Sequence, residues 1–244
     1  MSHYSRDRQK DRELKITERF ISNERITTPI IHIKEGGEPP DLEIALLGDK
    51  KISIELSELY DQKLKQRQEF QNKIIALAEH KFLEIHGIYL RVYITFSNEP
   101  MRGALNALDS FVELIFDFVE KVYLHNCHLE FRIGTLNSKP PNRYIKRITI
   151  DNDITFSNWQ SFSAFKVDYI NPDLVLNRVK RKEKGLKNYK GQYEENWLLL
   201  VANFGSKASA FRYEQVLSQP LNTKFDRVYI YEYFQDIVHE IKLL

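Results

Sequence analysis

Trp197-Leu198-Leu199-Leu200-Val201-Ala202 is a run of six apolar residues with no polar interruption. Its length is that of a strand, and with no polar residue on either alternating side it reads as a central strand buried on both faces. Such a strand demands covering layers, and the sequence supplies helical patterns around it. Leu14, Ile16, Phe20 and Ile21 suggest a helix from Leu14 to about Ile26, ended by Pro29, because the residue before a proline disfavours helix. Leu42–Leu47 and Ile52–Leu56 form a hairpin around Gly48-Asp49, the second strand alternating Ile52, Ile54 and Leu56 with Ser53, Glu55 and Ser57. A long helix follows over about 61–85, with Gly87 as its stop. Further segments read as a strand over 88–96, a helix over 104–124 and short strands over 129–133, 144–150 and 162–170. Pro172-Asp173 opens a helix to about Tyr189, and a last strand covers 225–231; the tail 235–244 is not assigned. Strands and helices alternate, so the expected class is α/β, with mixed α+β as the variant, around a central mixed β-sheet flanked by helices.

Composition bounds the rest. The chain of 244 residues is 42% hydrophobic and 29% charged, enough for a sizeable core. No Pro/Gly/Ser-rich linker divides it, so residues 1–244 are expected to form a single domain, with 1–12 flexible or opening a charged helix. The one cysteine, Cys127, excludes an intrachain disulfide and any multi-cysteine metal site. No apolar run is long enough to span a bilayer, so no membrane partner is expected. The polar stretch Met1–Arg12 has no apolar core of a secretory signal, and the expected setting is the cytoplasm. Neither GxxxxGK[ST] nor GxGxxG occurs, so nucleotide-hydrolase and dinucleotide-binding readings have no support.

Two carboxylates stand out. Asp41 precedes the first hairpin strand and Glu55 lies near the end of the second, fourteen residues on. Paired strands lie about 5 Å apart, so the hairpin can bring both to one end of the sheet. Convergent carboxylates bind a hard divalent cation, and such a cation activates water for phosphodiester hydrolysis. The bland reading is that Asp41 caps a turn after Pro40 while Glu55 lies on the solvated face of an edge strand.

Pro40, Asp41 and Glu55, in the order helix, hairpin, helix, strand over 13–96, resemble the PD-(D/E)xK nuclease superfamily, with its restriction-endonuclease-like fold. More narrowly, Pro40-Asp41-Leu42 and Ile54-Glu55-Leu56-Ser57 resemble bacterial proteins with a PDF…IEvT signature. Those proteins also carry a lysine-rich helix ending in tyrosine before a Trp-apolar strand, here Val179, Lys182, Tyr189 and Trp197. The resemblance implies a core over 13–96, completed by residues 97–244. It implies Mg²⁺ or Mn²⁺ held by Asp41 and Glu55, Glu18 as the helix acid with Glu24 as the alternative, and Gln71 as a residue lining the site. The implied function is metal-dependent hydrolysis of DNA in defence or DNA processing. A homodimer or a protein partner is compatible with it. The family lysine belongs two residues after Glu55, where Ser57 stands. Either the cation has moved to another element, or the chain keeps the fold and binds nucleic acid or a protein without cutting.

The helix after Pro172 offers a replacement. Arg178, Lys180, Arg181, Lys182, Lys184, Lys187 and Lys190 against Glu183 leave residues 178–190 net +6 and the remainder of the chain net −4. This basic helix, over 173–190, suits a phosphate backbone through Arg178, Arg181, Lys184 and Lys187, or is a solvated lysine-rich face. Val175, Val179, Lys182 and Leu186 share one helix face, so Lys182 points with the apolar stripe. It either snorkels to the surface or meets a carboxylate, with Asp41 or Glu55 as the expected partner.

Overall fold

The computed structural model describes residues 3–36, 39–99, 107–134, 142–162, 164–202 and 205–244. Contacts group the chain into two compact units, one of residues 1–62 and 166–244, the other of residues 63–165. The boundary at residue 62/63 falls at the start of a continuous helix, where no linker composition marks it.

The first unit is built on a mixed six-stranded sheet in the order β1 (Ile30–Glu35), β2 (Leu42–Leu46), β3 (Lys51–Glu58), β9 (Glu195–Ala202), β11 (Arg227–Glu232), β12 (Ile237–Glu240). β3, β9 and β11 run parallel at its centre, and the outer pairings are antiparallel. The expected central strand is β9. Its Trp197, Leu199 and Val201 join Ile52, Ile54 and Leu56 of β3 in one core with Ile16 and Phe20 of α1 (His3–Ile21). Its Leu198, Leu200 and Ala202 join the opposite core with Val175 and Val179 of α4 (Pro172–Leu186). Period-two alternation thus divides one apolar strand between two helical layers. Fully buried Phe20 meets Tyr229 and Tyr231 edge-on at 5.1 and 5.6 Å. Burial of a phenylalanine side chain is worth about 1.5–3 kcal/mol.

Several boundaries differ from the sequence reading. The first dozen residues are helical from His3, and α1 stops at Ile21 rather than about Ile26. Ser22 Oγ donates back to the Glu18 carbonyl, and the Asn23 side chain accepts from the Arg25 amide and donates to the Asp236 carbonyl. These local side-chain bonds compete with further helix before Pro29 is reached. In the hairpin turn Gly48 and Asp49 both take positive φ, 76° and 59°. β1 and β12 were not expected. Both are sheet edges in which most residues are exposed or only half-buried, so neither has a long apolar signature.

The second unit carries a sheet ordered β5 (Arg132–Gly134), β6 (Ile145–Asp151), β4 (Arg91–Phe96), β7 (Asn158–Ser161). It also carries α2 (Gln62–His86) from residue 63 onward, and α3 (Leu108–Asn126). Ile74, Ile75, Ala78 and Phe82 of α2 pack with Ile115 and Val119 of α3 and with Val92 and Ile94 of β4. Gly87 ends α2 at φ 64°, as expected. The expected α3 start at Ala104 lies outside the described residues. β4 was expected to complete a core over 13–96; it pairs instead with β6 and β7, and β9 takes the place beside β3. The expected strand over 162–170 shrinks to β8 (Asp168–Tyr169), paired with β10 (Phe211–Arg212). No helix among the described residues is long and apolar enough to cross a membrane.

Candidate active site

The site is assembled within the first unit from the β2–β3 hairpin and α4. Leu42 pairs with Ile54, which places Asp41 across from Glu55. The two residues clasp each other. The Asp41 amide donates to Glu55 Oε2 at 3.1 Å, and the Leu56 amide donates to Asp41 Oδ2 at 2.8 Å. On the other side the Gly36 amide donates to the Asp41 carbonyl at 3.0 Å. A Cβ on Gly36 would lie 2.1 Å from the Pro40 carbonyl oxygen, so only glycine fits there. Gly36→Ala is expected to lower stability by about 1–3 kcal/mol, the usual cost of forced overpacking, and to displace Asp41. Urea denaturation checks the first effect, and unchanged stability would contradict it.

Glu55 sits on the face of β3 opposite Ile54 and Leu56, the face covered by α4. Lys182 lies on the same face of α4 as the buried Val175 and Val179. Its Nζ lies 3.2 Å from Glu55 Oε1 and 3.3 Å from Asp41 Oδ2, so it is paired with both carboxylates rather than snorkelling to the surface. The Glu55 side chain is 8% exposed, and those of Asp41 and Lys182 are each 22% exposed. Two carboxylates share one ammonium, which leaves one negative charge unbalanced in a poorly hydrated place. Burial first, then the Asp41 carboxylate, push Glu55 up to about 7, against the opposing pull of Lys182.

Gly185 and Tyr189 complete the surroundings. A Cβ on Gly185 would stand 4.0 Å from Glu55 Oε1, an ordinary van der Waals distance, which shows how closely α4 passes the carboxylate. The Tyr189 hydroxyl is buried beside the Ser53 side chain. Burial, followed by the Glu55 and Asp41 charges, drives its ionisation far above the usual phenol range. Sequence reasoning assigned no role to Gly185. The one signal was a glycine within a lysine-rich helix, where it costs about 1 kcal/mol relative to alanine.

The other expected site residues fall as follows. Ser57 is buried on the Glu55 face of β3, so the position expected for lysine holds a small hydroxyl and the cation comes from α4. Glu18 does not join the cluster. It projects from the exposed side of α1, because Ile16 and Phe20 turn towards the sheet face that Glu55 does not share. Gln71 is buried on α2 in the second unit. Arg178 stacks over the Tyr60 ring at 4.6 Å. Arg181, Lys184 and Lys187 are exposed. Glu183, the lone acid of the basic window, is engaged elsewhere, accepting from Thr223 Oγ1 and the Lys224 amide.

A hard divalent ion such as Mg²⁺ needs only one or two carboxylates when water and phosphate oxygens fill the remaining positions. Asp41 and Glu55 meet that requirement. No group of three or more His, Cys, Asp or Glu side chains suited to a metal occurs among the described residues, so an all-protein cage is not built. Compared with known proteins, the chain matches no family model, no curated protein and no solved structure.

Proposed function

We propose that the protein is a metal-dependent nuclease-like enzyme that hydrolyses phosphodiester bonds in DNA, with Asp41, Glu55 and Lys182 as its reacting constellation. The observation that carries this reading is the Lys182 ammonium within 3.3 Å of both carboxylates, delivered from a helix whose exposed side is strongly basic. Burial and the Asp41 charge raise the Glu55 carboxyl to about 7, the kind of shift that clusters at functional sites. Asp41 and Glu55 would hold Mg²⁺ or Mn²⁺, which supplies an activated water and neutralises charge on the scissile phosphate. Lys182 would orient the attacking water and stabilise the negative charge that develops on the phosphoryl oxygens as the water oxygen bonds phosphorus and the P–O bond breaks. Arg181, Lys184 and Lys187 would hold the phosphate backbone along α4.

Ser57 supports a second reading, in which the fold binds nucleic acid without cutting it. Incubation of mixed linear and supercoiled DNA with Mg²⁺ or Mn²⁺ separates the two. Cutting by the wild type, lost in Asp41→Asn, is the expected result. Binding without cutting at any metal concentration selects the second reading. The Arg181→Glu, Lys187→Glu double variant is expected to bind DNA more weakly at all sequences. Its log–log salt slope should flatten by about 2, close to one per lost phosphate contact. An unchanged slope would remove α4 from the interface.

A further inference from the structure

A second feature of the first unit lies away from the carboxylate site. Arg8, Arg12, Lys15 and Arg19 recur at i, i+4, i+7 and i+11 along α1, which aligns four cations on one helix face. Beside that stripe is a cavity of about 520 Å³, lined by Arg8, Arg12, Lys15, Val201, Tyr233 and Phe234. This is within the usual size of a small-molecule site. Val201 is near the carboxyl end of β9, and Tyr233 and Phe234 immediately follow β11. Ligands of open α/β sheets bind outside the carboxyl ends of parallel strands.

The lining has two chemical halves. Arg8, Arg12 and Lys15 are cationic, with Asp11 the one carboxylate among the lining residues. Arg12 is held in place by Glu58 at 2.6 Å. The other half is aromatic. Phe234 is 60% exposed, against Tyr233 edge-on at 5.7 Å, and the Arg19 guanidinium lies 5.0 Å over the Tyr233 ring. An exposed phenylalanine at the rim of a cationic cavity contributes little to the core. It is the kind of surface on which a nucleobase stacks, with phosphate on the neighbouring cations.

We propose that this cavity binds a nucleoside phosphate, its base against Phe234 and Tyr233 and its phosphate on Lys15 and Arg8. The nucleotide is either free or part of a single strand. The site is on the α1 side of the sheet and uses none of Asp41, Glu55 and Lys182, so it stands or falls independently of the nuclease reading.

Fluorescence and calorimetric titration of wild type, Phe234→Ala and Lys15→Glu tests it, with ATP and a five-residue oligothymidylate as probes, in EDTA. Both substituted side chains are exposed, and the variants are expected to keep the wild-type unfolding temperature. Binding of ATP that weakens about tenfold in each variant identifies a free nucleotide as the ligand. The same loss seen only with the oligonucleotide identifies a strand. No binding of either probe by the wild type at millimolar concentration overturns the proposal. So does binding that either variant leaves unchanged.

Discussion

Glu55→Gln is expected to make the protein more stable at pH 8, by about 2–3 kcal/mol, while removing the proposed metal-dependent activity. The cause is the position of Glu55 between a buried sheet face and the Asp41 carboxylate, which lifts it from 4.5 to about 7. A carboxyl that is easier to protonate in the folded than in the unfolded chain binds more protons when folded between those two values. Stability therefore falls as pH rises from about 4.5 to about 7, and the whole cost is present above pH 7. Each tenfold change in proton affinity corresponds to about 1.4 kcal/mol, so the displacement of Glu55 amounts to about 3 kcal/mol. Glutamine removes the charge and still accepts from the Asp41 amide, but its amide group faces Lys182, which offsets part of the gain. Urea titrations at pH 5 and pH 8 measure this directly. The wild type should lose stability across the interval and the variant should lose less. A variant weaker than wild type at pH 8 would show that the pair is organised for stability.

Lys182→Met is expected to act in the opposite direction. Methionine keeps an unbranched stem on the Val179 face of α4 but removes the ammonium that Asp41 and Glu55 share. Breaking a buried ion pair costs about 3–5 kcal/mol because the remaining charge is left uncompensated. Partial exposure of Asp41 places this case near the lower end, about 3 kcal/mol at pH 8. The loss should shrink at pH 5, where Glu55 takes up a proton. It should also shrink in the Glu55→Gln background, since groups in direct contact couple. Equal losses in both backgrounds, measured by the same denaturation series, would mean that Lys182 contributes to packing alone.

These two variants show which parts of the site were legible in the sequence. Strand alternation put Glu55 across from the Ile54 face, and helix periodicity put Lys182 in line with Val175 and Val179. Both are short-range rules, and both describe the structure. Glu18 was chosen by its place in a helix near the hairpin, and the same periodicity, with Ile16 and Phe20 buried, carries it to solvent. The mixed sheet followed from the apolar run of β9, but its partners did not. β3 pairs with β9 across more than a hundred residues, and nothing local distinguishes that pairing from one with β4. β1 and β12 escaped because an edge strand needs only a few inward residues.

The most direct test of the constellation is the rate of Mn²⁺-dependent DNA cleavage by wild type, Asp41→Asn, Glu55→Gln and Lys182→Met, each also measured for stability at the assay pH. The account predicts cutting by the wild type, none by either carboxylate variant, and a rate lower by about 10²–10³ in Lys182→Met, as for loss of one charge-stabilising donor. Glu55→Gln should be inactive although more stable than wild type. Wild-type cutting that persists in Asp41→Asn and Glu55→Gln would contradict it, placing the chemistry elsewhere in the molecule.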